Sequence, residues 1–134
     1  FSIPVSNLVA NGMEVNMETP GSIDHDGSLL DYCRLHNITL QAWSPFQMPA
    51  WKGCFLGSDE YPELNQKLHV LAEKYNVSDT TIAAAWLLRH PANMQIITGT
   101  ASESRLKEII AACEITLTRE EWYELYLAAG HPLP

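Results

Sequence analysis

Hydrophobic residues recur along this chain with two different periods. Leu64, Leu68, Leu71 and Tyr75 follow Pro62 at helical spacing, and proline suits the first turn of a helix, so residues 62–75 are predicted helical. Asn76-Val77-Ser78-Asp79 interrupts the pattern, with Ser78 placed to cap a following helix over 80–90. That segment carries Ile82, Ala83, Ala85, Trp86, Leu87 and Leu88 with almost no polar side, so it is expected to be buried, and Pro91 stops it. Leu29, Leu30 and Cys33 share a face of a helix over 26–36, capped by Asp26 or Ser28. A helix from about residue 103 to 113 has Ser102 as its cap. The T-x-x-E run from Thr118 to Glu121 opens a last helix to about residue 129, closed by Gly130. Strict alternation over 38–43 predicts a strand ending at Ser44-Pro45. The short apolar run 94–98 predicts a second strand, of the kind buried on both faces in parallel sheets.

Residues 1–22 read as irregular, broken by Pro4, Asn11-Gly12 and Pro20-Gly21, and 44–61 as a loop rich in proline, glycine and aromatics. Strands separated by helices imply an α/β fold with parallel pairing. Two parallel strands alone leave two open edges, so the pattern describes part of a larger sheet. The 134 residues make one domain and fall short of the ~200 that a closed (β/α)8 barrel needs. The start at Phe1, without an initiator Met, is the start expected of a piece of a longer chain.

Sixteen acidic residues against eight basic ones give a net charge of −8, which disfavours nucleic acid as a partner. No apolar run approaches the ~18 residues of a membrane span, and the first residues lack the basic and apolar regions of a secretion signal. Cys33, Cys54 and Cys113 show no metal-ligand spacing and read as reduced thiols of a cytoplasmic protein.

Chemistry concentrates after the two strands. Beyond the second, Gly99, Thr100, Ser102, Ser104 and Arg105 precede or open a helix whose free N–H groups suit a phosphate. The same residues also read as a turn, a cap and a solvated cation, and Glu103 opposes an anion. Beyond the first strand, Trp43 offers a flat face to a planar ring and Ser44 a hydroxyl; a core tryptophan before a turn is the equal alternative. His25, between Asp24 and Asp26, reads as a solvated loop residue, so no metal site is expected. His36 and His90 lie near helix C-termini, where a cation is favourable. Trp122, Tyr123 and Tyr126 read as core or as a cover over a neighbouring surface.

These segments resemble a known family. The residues Leu30-Asp31-Tyr32-Cys33, Ile38 through Phe46, Ala83 through Pro91, Ile97-Thr98-Gly99-Thr100 with Arg105, and Leu117 through Tyr123 are similar, in order, to the C-terminal part of an aldo-keto reductase. The nearest likeness is to the YdhF-like branch of bacterial oxidoreductases. The resemblance implies about strands seven and eight, with their helices, of a (β/α)8 TIM barrel left incomplete, with 1–134 as one cofactor-binding portion starting just past a sixth strand. It implies an enzyme that reduces aldehydes and ketones to alcohols by hydride transfer from NADPH, with NAD(H) as the alternative cofactor and a small carbonyl compound as substrate. Trp43 matches the aromatic that stacks on nicotinamide, and Ser44 and Phe46 match the turn along the diphosphate. Gly99 stands in the 2′-phosphate loop, Thr100 and Arg105 match residues that hold that phosphate, and Glu108 falls where adenine is contacted. Gly99 replaces a frequent Lys, Ile109 a frequent amide and Gln47 a frequent Gly. The family's catalytic Asp, Tyr, Lys and His map to no residue here, so the chain alone is expected to be inactive and to need the N-terminal part of its own barrel. A stand-alone α/β module binding a phosphorylated ligand at Gly99–Arg105, and an empty structural remnant, are the competing readings.

Overall fold

The structure, a computed structural model, describes residues 2–5 and 28–131. Helix α1 (Ser28–Leu35) leads into strand β1 (Leu40–Trp43). Helices α2 (Pro62–Tyr75) and α3 (Asp79–Leu88) precede strand β2 (Met94–Ile97), and helices α4 (Glu103–Ala111) and α5 (Arg119–Ala128) follow it. Short 3-10 turns occupy Pro49–Trp51 and Ala112–Glu114. Both strands are shorter than the sequence pattern predicts, and the helix expected to reach 113 tightens into a 3-10 turn after Ala111. The bulk of the irregular 1–22 segment, His25 and Asp26 lie outside the described residues.

The helix boundaries follow their caps. Asn76 takes the left-handed conformation that ends α2, at φ 54°. Ser78 then accepts from the Thr81 N–H to open α3. At Thr118 both halves of the capping box form: its hydroxyl accepts from Glu121 N, and the Glu121 carboxylate accepts from Thr118 N at 2.7 Å.

Helix α3 is the centre of the packing, buried from Thr81 through Leu87 as its composition predicts, and touching α2, α4 and β2. Trp86 reaches from it to Trp122 on α5. The two indoles stack 4.6 Å apart and 7° from parallel. Each also donates its ring N–H to the other residue's backbone carbonyl, at 2.9 and 3.0 Å. The polar handle of each buried ring is thus satisfied by the partner it packs on.

A second tie joins α2 to α5. The buried Glu121 carboxylate accepts from Lys74 Nζ at 2.5 Å and from Tyr75 Oη at 2.8 Å. Burial works against its charge, but the Lys74, Thr118 and Tyr75 donors prevail and hold the carboxyl below its ordinary value. A carboxylate depressed on folding stabilises above its unfolded pKa, and that contribution disappears as pH falls through the lower folded value. Acid melts should therefore show stability declining below about pH 4.5, with Glu121→Gln both less stable at neutral pH and flatter across that window. An equally steep decline in the variant would remove Glu121 from this role.

The strands pair in parallel, Leu40 with Met94 through Trp43 with Ile97. Period two sorts their side chains. Ala42, Met94 and the half-buried Leu40 and Ile96 belong to the helix-packed core, while Gln41, Trp43, Gln95 and Ile97 are exposed on the other face. Gln41 Nε2 donates to Gln95 Oε1 across the pair at 3.3 Å. The expectation that the second strand is buried on both faces is therefore corrected. Among the described residues only one face of the pair is covered, because helices pack on one side alone.

Candidate cofactor site

The register decides which residues meet. With Trp43 opposite Ile97, the loops beginning at Ser44 and Thr98 leave the same end of the sheet, side by side. The helices run back from that end, so the N-terminus of α4 opens onto it as well. Trp43 is exposed.

Ser44 turns the chain sharply. It takes φ 48°, a left-handed value uncommon for a residue with a Cβ, and its carbonyl accepts from Gln47 N. A small hairpin follows. Gln47 bridges Cys54, Met48 N donates to Gly53 O at 2.7 Å, and Phe55 N donates to Phe46 O at 3.0 Å. Gly53, at φ 117°, makes the return that other residues resist. Phe46 packs edge-on against the buried Phe55, with ring centroids 6.4 Å apart. The base of the hairpin is tied to the start of the chain, where Ser2 Oγ donates to Gln47 O at 2.6 Å.

Asn65, in the second turn of α2, fixes the rest of this loop. Its Nδ2 donates to the carbonyls of Phe55, Ser58 and Tyr61, and its Oδ1 accepts from Gly57 N at 2.8 Å. Sequence reasoning missed this residue. The available signal was a lone asparagine just inside a helix that follows a Gly-Ser-Asp turn.

On the other loop, Thr100 Oγ1 accepts from Ser102 N at 3.1 Å, which shapes the approach to α4. Ser102 caps the helix through Arg105 N, and its hydroxyl lies 2.9 Å from that of Ser104. The Arg105 side chain is exposed. Gly99 is also exposed, its φ lies outside the left-handed region, and a Cβ built on it meets nothing within 4 Å. Among the described residues nothing demands glycine there, and the space it leaves is open. Glu108 is separated from this loop by one helical turn and bonds to the start of α3: its carboxylate accepts from Ser78 Oγ at 3.1 Å.

Burial raises Tyr75, with its bond to Glu121 adding to the rise, and burial raises Tyr126. Burial followed by the nearby Arg34 charge lowers His90, whose Nδ1 accepts from Ala92 N, so the cation expected at this helix end is disfavoured. Trp122 and Tyr126 are core, as the sequence suggests. The described residues form no group of three His, Cys, Asp or Glu able to hold a metal. They include no helix long and apolar enough to cross a membrane. Cys33, Cys54 and Cys113 are free thiols.

A parallel strand pair backed by helices, with two loops and a helix N-terminus at its C-terminal end, is a piece of a (β/α) fold. The Aldo/keto reductase family model matches residues 4–126, and the chain belongs to that family. It is 30% identical over 124 residues to the 6-dehydroglucose reductase of Agrobacterium fabrum, covering 92% of this chain and 39% of that protein. Oxidoreductase YdhF of Escherichia coli is 29% identical over 81% of this chain and 36% of its own length. Among solved structures, the thermostable aldo-keto reductase Tm1743, crystallised with the inhibitor epalrestat, superposes with a TM-score of 0.60 at 27% identity. That match covers 76% of this chain and 34% of that one. The family carries an oxidoreductase activity on a (β/α)8 barrel with a nicotinamide cofactor, and this chain spans under half the length of these relatives.

Proposed function

We propose that this chain is the cofactor-holding C-terminal part, about strands seven and eight, of a cytoplasmic NADP(H)-dependent aldo-keto reductase acting on a small aldehyde or ketone. The observation that carries this reading is the Trp43–Ile97 register, which sets the two loops at one sheet end. When bound, the cofactor supplies the hydride that reduces the carbonyl. Everything else is positioning. Trp43 would hold the nicotinamide ring, and Ser44 and Phe46 would hold the diphosphate. Gly99, Thr100 and Arg105 would hold the 2′-phosphate, and Glu108 the adenine. The open space at Gly99 and the exposed Arg105 beside a helix N-terminus fit a phosphate. The catalytic Asp, Tyr, Lys and His come from earlier strands, so the 134 residues bind cofactor without turning over a carbonyl.

The test is fluorescence titration of this chain with NADPH and NADH. Arg105→Ala is expected to weaken NADPH about tenfold, the worth of one charge-assisted phosphate contact, and to leave NADH unchanged. Equal losses for both dinucleotides would remove the 2′-phosphate from Arg105. Aldehyde reduction by the isolated chain would overturn the division of labour.

A further inference from the structure

We infer that Ser78 is a positioning residue for the adenine end of this site, orienting Glu108 from the neighbouring helix. The inference rests on the cofactor reading above.

Glu108 is pinned at two points. Its backbone carbonyl accepts from Thr81 Oγ1 at 2.9 Å, and its carboxylate Oε2 accepts from Ser78 Oγ at 3.1 Å. The direction of these bonds follows from elimination. The buried Thr81 hydroxyl spends its hydrogen on the Glu108 carbonyl. The Ser78 oxygen accepts from Thr81 N, so its hydrogen is left for Thr81 Oγ1 or for the carboxylate. The charged acceptor wins that choice.

The consequence concerns Arg105, three residues earlier on α4. Side chains at i and i+3 are neighbours on a helix, so Arg105 and Glu108 lie within reach of an ion pair. Among the described residues Arg105 and Glu108 form none. Ser78 draws the carboxylate toward the N-terminus of α3, where a negative charge is favoured. Arg105 is thereby left for a phosphate, and the Glu108 Oε1 atom is left to accept from an exocyclic amine. One hydroxyl thus sets both halves of the recognition of a 2′-phosphorylated adenosine.

The experiment compares NADPH with its hypoxanthine counterpart, which carries a carbonyl in place of the adenine amine. Three variants are used, each checked for folding by its thermal transition. Ser78→Thr keeps cap and donor. Ser78→Ala loses both. Ser78→Asp keeps the cap but cannot donate, and it repels Glu108. The wild-type chain and Ser78→Thr are expected to prefer the adenine form about tenfold, one hydrogen bond to a charged group. In Ser78→Asp and Ser78→Ala that preference collapses to about twofold or less. A merely structural role would weaken both dinucleotides together and leave their ratio intact, and an intact ratio in folded Ser78→Asp overturns the inference while the cofactor reading stands. A wild-type chain that takes up neither dinucleotide overturns both.

Discussion

Replacing Trp86 by alanine is expected to cost about 3–5 kcal/mol, a large part of the ~5–15 kcal/mol that holds a domain of this size. The site is fully buried, so the lost indole leaves a cavity that α2, α4 and α5 must collapse into or leave empty. The Trp122 indole loses both its stacking face and the ring N–H donor that satisfies its carbonyl. Urea unfolding followed by circular dichroism measures the loss. Trp86→Phe separates the terms, since it keeps an aromatic face and removes the donor, and about half the cost should remain. A loss under about 1 kcal/mol in Trp86→Ala would mean that the ring pair is not the tie between α3 and α5.

Asn65→Asp is the second large effect, expected near 3 kcal/mol from an isosteric change. The side chain keeps its shape and its acceptor toward Gly57. The amide nitrogen becomes an oxygen facing the carbonyls of Phe55, Ser58 and Tyr61. Three attractions become three repulsions, and the loop escapes them only by swinging away from α2. Hydrogen exchange should rise sharply at Gly57 and Phe55, whose N–H groups bond to Asn65 and Phe46. Exchange in α3 should change far less. On the proposed cofactor reading, because Phe55 supports Phe46, the same variant should also bind NADPH more weakly. Uniform acceleration across α3 and the loop together would indicate global destabilisation instead.

The helices were readable in the sequence because their signals are local. Ser78, Ser102 and Thr118 cap where their spacing predicts, and the unbroken apolar run through Trp86 is buried. The candidate site residues rest on the ordered resemblance of their motifs, and the structure adds what spacing cannot: the neighbourhood of Ser44 and Thr98 comes from strand register, a long-range property. The strand burial was misread because an apolar run such as 94–98 does not say how many faces have neighbours. Asn65 and the Ser78–Glu108 bond were invisible for a related reason. Each works through partners fixed only after chain segments meet, and an asparagine or serine looks the same whether it meets water or a backbone carbonyl.

The alternation along β1 and β2 works as a parity code. Deleting or inserting one residue in either strand before its last position would exchange the two faces, sending Trp43 or Ile97 among the helices and Ala42 or Ile96 to the outside. Substitutions in this stretch act one side chain at a time, but a single indel re-addresses them all. The stretch 46–61 has no such face to exchange, but its hairpin pairing and its bonds to Asn65 fix it at several points, so a change of length there is absorbed best at the hairpin tip, around Pro49 to Lys52.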